Sequence, residues 1–259
     1  SAKGGLKIVE EKDATDEQRL VQSVNSGLYL FKTEFLQKRL GSISNNNKSG
    51  EFYLTDVFSE SENVGERQFL CGDSFMGVND LIQLNTARCH MQNKINTNYL
   101  KSGVHILDPA STWIDSDCSI GKGTVIYPGA HIAGQSIIGE NCEIGVGSIV
   151  KATSIENDVQ VKPYSHFEGA NLKSKAVVGP YTRLREGAVI GAGSKIGNFV
   201  EIKKSVLKEK VGVSHLSYIG DAEIGENVNI GCGFITCNYD GESKSKTIIG
   251  KNSFIGSKF

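Results

Sequence analysis

Branched aliphatic residues recur every six positions through the second half of the chain. Ile114, Ile120, Ile126, Ile132, Ile138, Ile144 and Val150 follow one another without a miss. The period returns at Ile155, Val161 and Phe167, at Val178, Leu184, Ile190, Ile196 and Ile202, at Ile224 and Ile230, and at Ile249 and Ile255. Four residues after the first six anchors stand Cys118, Thr124, Ala130, Ser136, Cys142 and Ser148, all small. A period of six fits neither the 3.6 of a helix nor the 2 of an ordinary strand. It is the hexapeptide repeat of a parallel β-helix, in which aliphatic and small residue both point inward and a turn follows. Three hexapeptides close a triangular coil of about 18 residues, and coils stack at the ~4.8 Å strand spacing. The register slips where Val150 is followed by Ile155 and again between Ile202 and Ile224, so Lys203 to Glu223 reads as irregular. Thr236 to Ile248, polar and containing Asp240-Gly241, reads as an excursion from the coil. Loops leaving a rigid scaffold are where binding groups concentrate.

The first hundred residues have a mixed pattern. Leu6–Glu10 and Val24–Phe31 read as strands, Lys32–Leu40 and Asp80–Leu100 as helices. The second helix carries Leu81, Leu84, Met91, Ile95 and Tyr99 on one face, with Asn79 or Asp80 placed to cap it. This part reads as α/β, but no Gly-rich loop leads from a strand into a helix to cradle a phosphate.

Composition sharpens the division. Of 30 Gly, eight lie in residues 1–102 and 22 in 103–259, which puts a boundary near Gly103. The predicted organisation is an α/β part over 1–78, a linker helix over 79–102 and a β-helix over 103–259. Lys and Arg number 28 against 29 Asp and Glu, a net charge of −1, which argues against a broadly basic nucleic-acid binder. No apolar run is long enough to span a membrane and no signal-peptide core opens the chain, so no membrane partner and a cytoplasmic location are expected. Six Cys form no CxxC pair and no zinc spacing, as in a protein whose thiols stay reduced.

Candidate chemistry is sparse when read from the residues alone. Of five His, only His215 falls in the stretch read as irregular, beside other polar groups; an imidazole suits proton transfer near neutral pH, but a lone His is more often a surface residue. Arg185 and Lys203, 18 residues apart and each directly after an inward anchor, point outward from the same wall of adjacent coils. Two such cations ~5 Å apart suit a phosphate held between them, or are simply part of a solvated basic face.

The motifs carry a resemblance. IVEEKDAT (8–15), VNSGLY (24–29), NNNKSGEFYLTD (45–56) and GVND (77–80) are similar to the later part of a sugar-nucleotide pyrophosphorylase domain. GPYTRLREG (179–187), IGNFVEIKKS (196–205), SHLSYIGDAEIGENVNIG (214–231) and TCNYDG (236–241) are similar to the left-handed β-helix that follows it. Together they resemble the bacterial bifunctional GlmU family, an N-acetylglucosamine-1-phosphate uridylyltransferase joined to a glucosamine-1-phosphate N-acetyltransferase. The resemblance implies acetyl transfer from acetyl-CoA to glucosamine 1-phosphate, then uridylyl transfer from UTP to N-acetylglucosamine 1-phosphate. It implies His215 as general base, with Arg185, Lys203, Tyr218, Asn229 and Lys244 around the sugar phosphate. Cys232, Asn238, Tyr239 and Ser257 match acetyl-CoA positions, and direct attack by the amine leaves Cys232 without a covalent role. Glu10, Asn25 and Asn79 match sugar-nucleotide positions, Asn79 also a magnesium ligand, though by themselves they are ordinary strand-end, turn and cap residues. The family builds its sites between prisms of a homotrimer. Its N-terminal nucleotide-binding half and its last coils have no counterpart here, so the chain is expected to be incomplete at both ends and unable to transfer uridylyl groups alone.

Two other readings stay open from sequence: a β-helix that binds or assembles without chemistry, and a pyrophosphorylase whose β-helix only regulates. The SHLSY stretch and the TCNYDG loop oppose the first, and the second would lack the combination of Arg185, Lys203, His215 and Asn238.

Overall fold

The computed structural model describes residues 8–58, 64–69 and 75–257. The chain divides into two compact units, Ser1–Ala87 and Arg88–Phe259.

The second unit is a left-handed parallel β-helix. Its short strands stack into three walls of nine, seven and eight strands among the described residues, and every pair of neighbours within a wall is parallel. Each wall takes one strand per coil, so strand neighbours come from successive coils. Ile126, Ile144, Val161, Val178, Ile196, Val213 and Ile230 line the inside of the first wall. Ile132, Val150, Phe167, Leu184, Ile202 and Ile219 line the second, and Ile138, Ile155, Leu172, Ile190, Leu207 and Ile224 the third. The small inward positions bury hydroxyls that bond backbone carbonyls instead of water: Thr124 donates to Gly139 O at 2.8 Å, Thr182 to Gly197 O at 2.6 Å and Ser194 to Lys208 O at 3.0 Å. Cys142 takes the same place, its thiol donating to Glu156 O at 3.1 Å, and burial raises its pKa and that of Cys118. Such thiols are fillers rather than nucleophiles.

The stretch from Lys203 to Glu223 is regular coil, a correction to the sequence reading. The anchors Leu207, Val213 and Ile219 occupy it, and the step from Ile202 to Leu207 is five residues. Five-residue steps also join Val150 to Ile155, Phe167 to Leu172 and Ile219 to Ile224. All four fall at the corner between the second and third walls. The turn there drops one residue and keeps the inward small residue, as with Thr153, Ala170, Ser205 and Ala222. The excursion leaves from this same corner, after Thr236, and the coil resumes at Thr247–Ile249.

The corner between the first and second walls is of another kind. Tyr164, Tyr181 and Phe199 stand one above another there at φ of 57°, 54° and 57°. Their rings stack 5.5 and 5.4 Å apart, offsetting the cost of left-handed backbone in bulky residues.

Helix α1 spans Thr33–Leu40 and α2 Leu81–Lys101. Asp80 caps α2 by accepting from the Gln83 N–H at 2.7 Å. The buried side of α2 keeps only the C-terminal part of the predicted stripe: Ile95 and Tyr99 pack on the core beside buried Gln92 and Asn96, while Leu81, Leu84 and Met91 are exposed. Asn96 donates to Pro109 O and Thr112 O at 2.9 and 3.1 Å, and the Tyr99 hydroxyl to Cys118 O at 2.6 Å. The helix satisfies carbonyls of the first coil, and that polar task selects its face.

The predicted strands of the first unit do not form. Val24–Phe31 and Ile8–Glu10 are irregular, and Leu6 and Lys7 lie outside the described residues. A strand is held by a neighbour, and the described residues of this unit offer none.

Candidate functional site

The second wall and its two corners carry most of the residues singled out from sequence. Arg185 follows buried Leu184 and Lys203 follows buried Ile202, and these strands pair in register, so the two cations stand one above the other. The Arg185 guanidinium donates to Glu201 Oε1 at 3.0 Å. Lys203 has its pKa lowered, first by the charge of Lys244 and further by Arg185, with Asp221 acting the other way. Folding therefore gathers three cations at the edge of the second wall next to the excursion. Lys244 reaches this place only because the excursion turns back on itself: Tyr239 and Lys244 bridge antiparallel, and Asp240 accepts from the N–H groups of Glu242 and Ser243 at 2.9 and 2.7 Å. Those donors hold the Asp240 carboxyl below its ordinary pKa. The Tyr239 hydroxyl donates to Gly241 O at 2.5 Å.

Tyr218 lies on the second wall, paired with Glu201, and its ring folds across Gly220. A Cβ at Gly220 would stand 2.5 Å from the Tyr218 hydroxyl. Gly220 pairs with Lys203, so the phenol extends along the wall toward the cations.

His215 ends the first-wall strand Gly212–His215, at the opposite edge of the second wall. Its Nδ1 lies 2.7 Å from Asn198 Oδ1, on the residue it pairs with one coil earlier. The amide oxygen only accepts, so Nδ1 is the donor in this bond, and in the neutral imidazole it is Nε2 that carries the lone pair. Asn229 is on the first wall, exposed and lying over Gly212. Cys232 follows the anchor Ile230 on that wall, and Ser257 follows Ile255 one coil on. Asn238 is half-buried, donating to Asp221 Oδ2 at 2.6 Å. The residues thus form two groups: Arg185, Lys203, Lys244, Tyr218 and Asn238 toward one edge of the second wall, and His215, Asn229, Cys232 and Ser257 at the other edge and beyond it.

In the first unit Asn25 donates to the Tyr29 hydroxyl and accepts from the Gly27 N–H, and the Asn79 N–H donates to Gln83 Oε1. Glu10 contributes its carbonyl to a turn with Asp13. Asn79 is the single magnesium ligand that the resemblance offers among the described residues. No group of three His, Cys, Asp or Glu that could hold a metal occurs among them, and Mg²⁺ favours carboxylate oxygens in octahedral array. No helix of the described residues is long and apolar enough to cross a membrane.

Sequence reasoning missed four residues of this surface: Asn198, Glu201, Gly220 and Asp221. Each lies inside a motif quoted above, but its partner is one coil away or across a corner, which no linear pattern announces.

Residues 117–152 match the bacterial transferase hexapeptide family (six repeats). The bifunctional protein GlmU of Staphylococcus haemolyticus is 45% identical over 255 residues, 96% of this chain and 56% of that protein. The GlmU of Acetivibrio thermocellus is 45% identical over 254 residues, 96% of this chain and 55% of that one. The chain spans about half the length of the curated relatives it matches. A solved UDP-N-acetylglucosamine acyltransferase of Francisella novicida overlaps 60% of this chain and 67% of its own at 13% identity, with a TM-score of 0.32.

Proposed function

The chain is a GlmU relative over nearly its whole length, and from that premise we propose that its β-helix transfers the acetyl group of acetyl-CoA to the amine of glucosamine 1-phosphate. The observation that carries this reading is the gathering of Arg185, Lys203 and Lys244 beside the excursion loop. Lysines crowded together raise each other's cost of being charged, and a phosphate dianion between them removes that cost.

The amine attacks the thioester carbonyl, His215 Nε2 takes the proton the nitrogen loses, and the tetrahedral oxyanion collapses to expel the coenzyme A thiolate. The new C–N bond replaces the C–S bond, and the proton passes to the thiolate to give free coenzyme A. Asn198 favours the tautomer of the neutral imidazole with its proton on Nδ1, which leaves Nε2 as the basic nitrogen. Arg185, Lys203, Lys244, Tyr218 and Asn229 hold the sugar phosphate, while Asn238, Tyr239, Cys232 and Ser257 hold the acetyl group and coenzyme A. The cations and His215 stand at opposite edges of the second wall, which supports a site completed by a second copy of the chain in a homotrimer.

Residues 1–78 correspond in this reading to the later part of the uridylyltransferase domain, with Glu10, Asn25 and Asn79 at its sugar nucleotide; no uridylyl transfer is assigned to the chain alone.

Coenzyme A release, followed with a thiol reagent, is expected to require glucosamine 1-phosphate, and His215→Ala is expected to lower kcat by ~10²–10⁴. Release that ignores the sugar, or a His215→Ala variant as fast as wild type, overturns the proposal.

A further inference from the structure

The corner between the second and third walls ends, on the coil beneath the excursion, at Asp221. This residue holds φ of 49°, a left-handed conformation that glycine or asparagine adopts more readily. Its backbone and side chain are tied three ways. Its N–H donates to Lys203 O at 3.1 Å, on the coil before it. Its carbonyl accepts from the Thr247 N–H at 3.1 Å, where the chain returns from the excursion. Its Oδ2 accepts from Asn238 Nδ2 at 2.6 Å, where the excursion sets out. Both ends of an otherwise exposed loop therefore converge on one residue, and that residue is bonded to the backbone of Lys203. The equivalent corner one coil earlier is Lys204, at φ of 45°, which carries no such loop.

We infer that Asp221 is a positioning residue: its carboxylate clamps Asn238, and with it the loop carrying Tyr239 and Lys244, against the anion-binding edge of the wall. The inference rests on the acetyl-transfer reading for its consequence, and on geometry alone for the clamp. A hydrogen bond from an amide to a carboxylate is among the stronger kinds and here joins two half-buried groups. With it gone, the loop keeps its internal Asp240 turn, the Thr247–Asp221 backbone bond and the Lys246–Glu223 ion pair at 2.9 Å, but loses the side-chain tether where it sets out. The Asp221 charge also tempers the repulsion that Lys244 and Arg185 exert on Lys203.

Two substitutions separate clamp from scaffold. Asp221→Gly relieves the left-handed backbone and removes the side-chain bond; Asp221→Asn keeps the shape and an acceptor oxygen but removes the charge. For Asp221→Gly the melting temperature is expected within a few degrees of wild type, amide exchange across 237–246 to accelerate about tenfold or more, and kcat/KM for glucosamine 1-phosphate to fall by ~10–100-fold. Asp221→Asn is expected between the two, and serves alone should the glycine variant fail to fold. Exchange across 237–246 identical to wild type overturns the clamp. Faster exchange with unchanged kcat/KM overturns the positioning role. A wild-type chain that transfers no acetyl group counts against the functional reading, while the exchange comparison still decides the clamp.

Discussion

The two units use similar apolar content in opposite ways. In the β-helix the anchors vanish from solvent: Phe167, Leu184 and Ile202 are all 0% exposed. In the first unit Val24 and Leu30 are 81% and 101% exposed, and the described buried residues are Thr55, Val57 and Phe58. The difference lies in where each segment finds its neighbour. A hexapeptide strand pairs with the strand one coil away, so the repeat supplies its own partner every 17 or 18 residues. A strand of an α/β sheet depends on segments remote in sequence, and an apolar run such as Val24–Phe31 cannot supply them itself. Periodicity is a reliable guide to structure where the period also dictates the partner.

The sharpest way to break this comparison is to shift the repeat by one residue. Deleting Gly147, at the corner between the first and second walls, should abolish cooperative unfolding of the β-helix, because described steps there are six residues in every coil after the first and a shift turns inward side chains outward. Deleting Gln135, between the second and third walls, leaves a five-residue step like that from Val150 to Ile155 and should cost about 1 kcal/mol or less. Equal losses in circular dichroism melts would refute the distinction between corners.

A smaller effect comes from truncating single side chains. Phe167→Ala should destabilise the β-helix by about 3–5 kcal/mol in urea titrations, since it empties a fully enclosed place. Leu30→Ala should change stability by no more than about 0.5 kcal/mol, because water already surrounds the side chain. Matching costs at the two positions would mean that the contrast in burial is not one of energy.

The smallest effect concerns protons. Lys203 has its pKa pushed below the ordinary 10.5 by Lys244 and Arg185, so its charged form is disfavoured in the free protein. A bound phosphate favours that charged form again and raises the pKa. In alkaline solution below that value, binding glucosamine 1-phosphate should therefore take up a fraction of a proton, and affinity should weaken as pH rises. Calorimetry at about pH 9 in two buffers of different ionisation enthalpy measures the uptake. Proton release instead would remove Lys203 from the anion site.

The residues show how far a linear reading reaches. Ile114 through Val150 announced the coil because their period is unbroken, and Arg185 and Lys203 were legible as a stacked pair because each follows an anchor. A count of six does not reach Leu172, Leu207, Val213 and Ile219, because a five-residue step breaks the count without breaking the coil. His215 stood out through an irregularity that proved to be regular coil, and its partner Asn198 lies 17 residues earlier, visible only once the coil is wound.

Sequence by itself determined the parallel β-helix, its inward anchors, the excursion after Thr236 and the kinship of the chain, since each is written in local order and spacing. Only the tertiary structure decided that one corner absorbs every five-residue step, that Lys244 folds back onto Lys203, that Asp221 ties down both ends of the loop, and that α2 buries amides instead of its leucines. Those outcomes depend on distances across coils and corners, where electrostatic repulsion, hydrogen-bond satisfaction and packing act between residues that the order of the chain keeps apart.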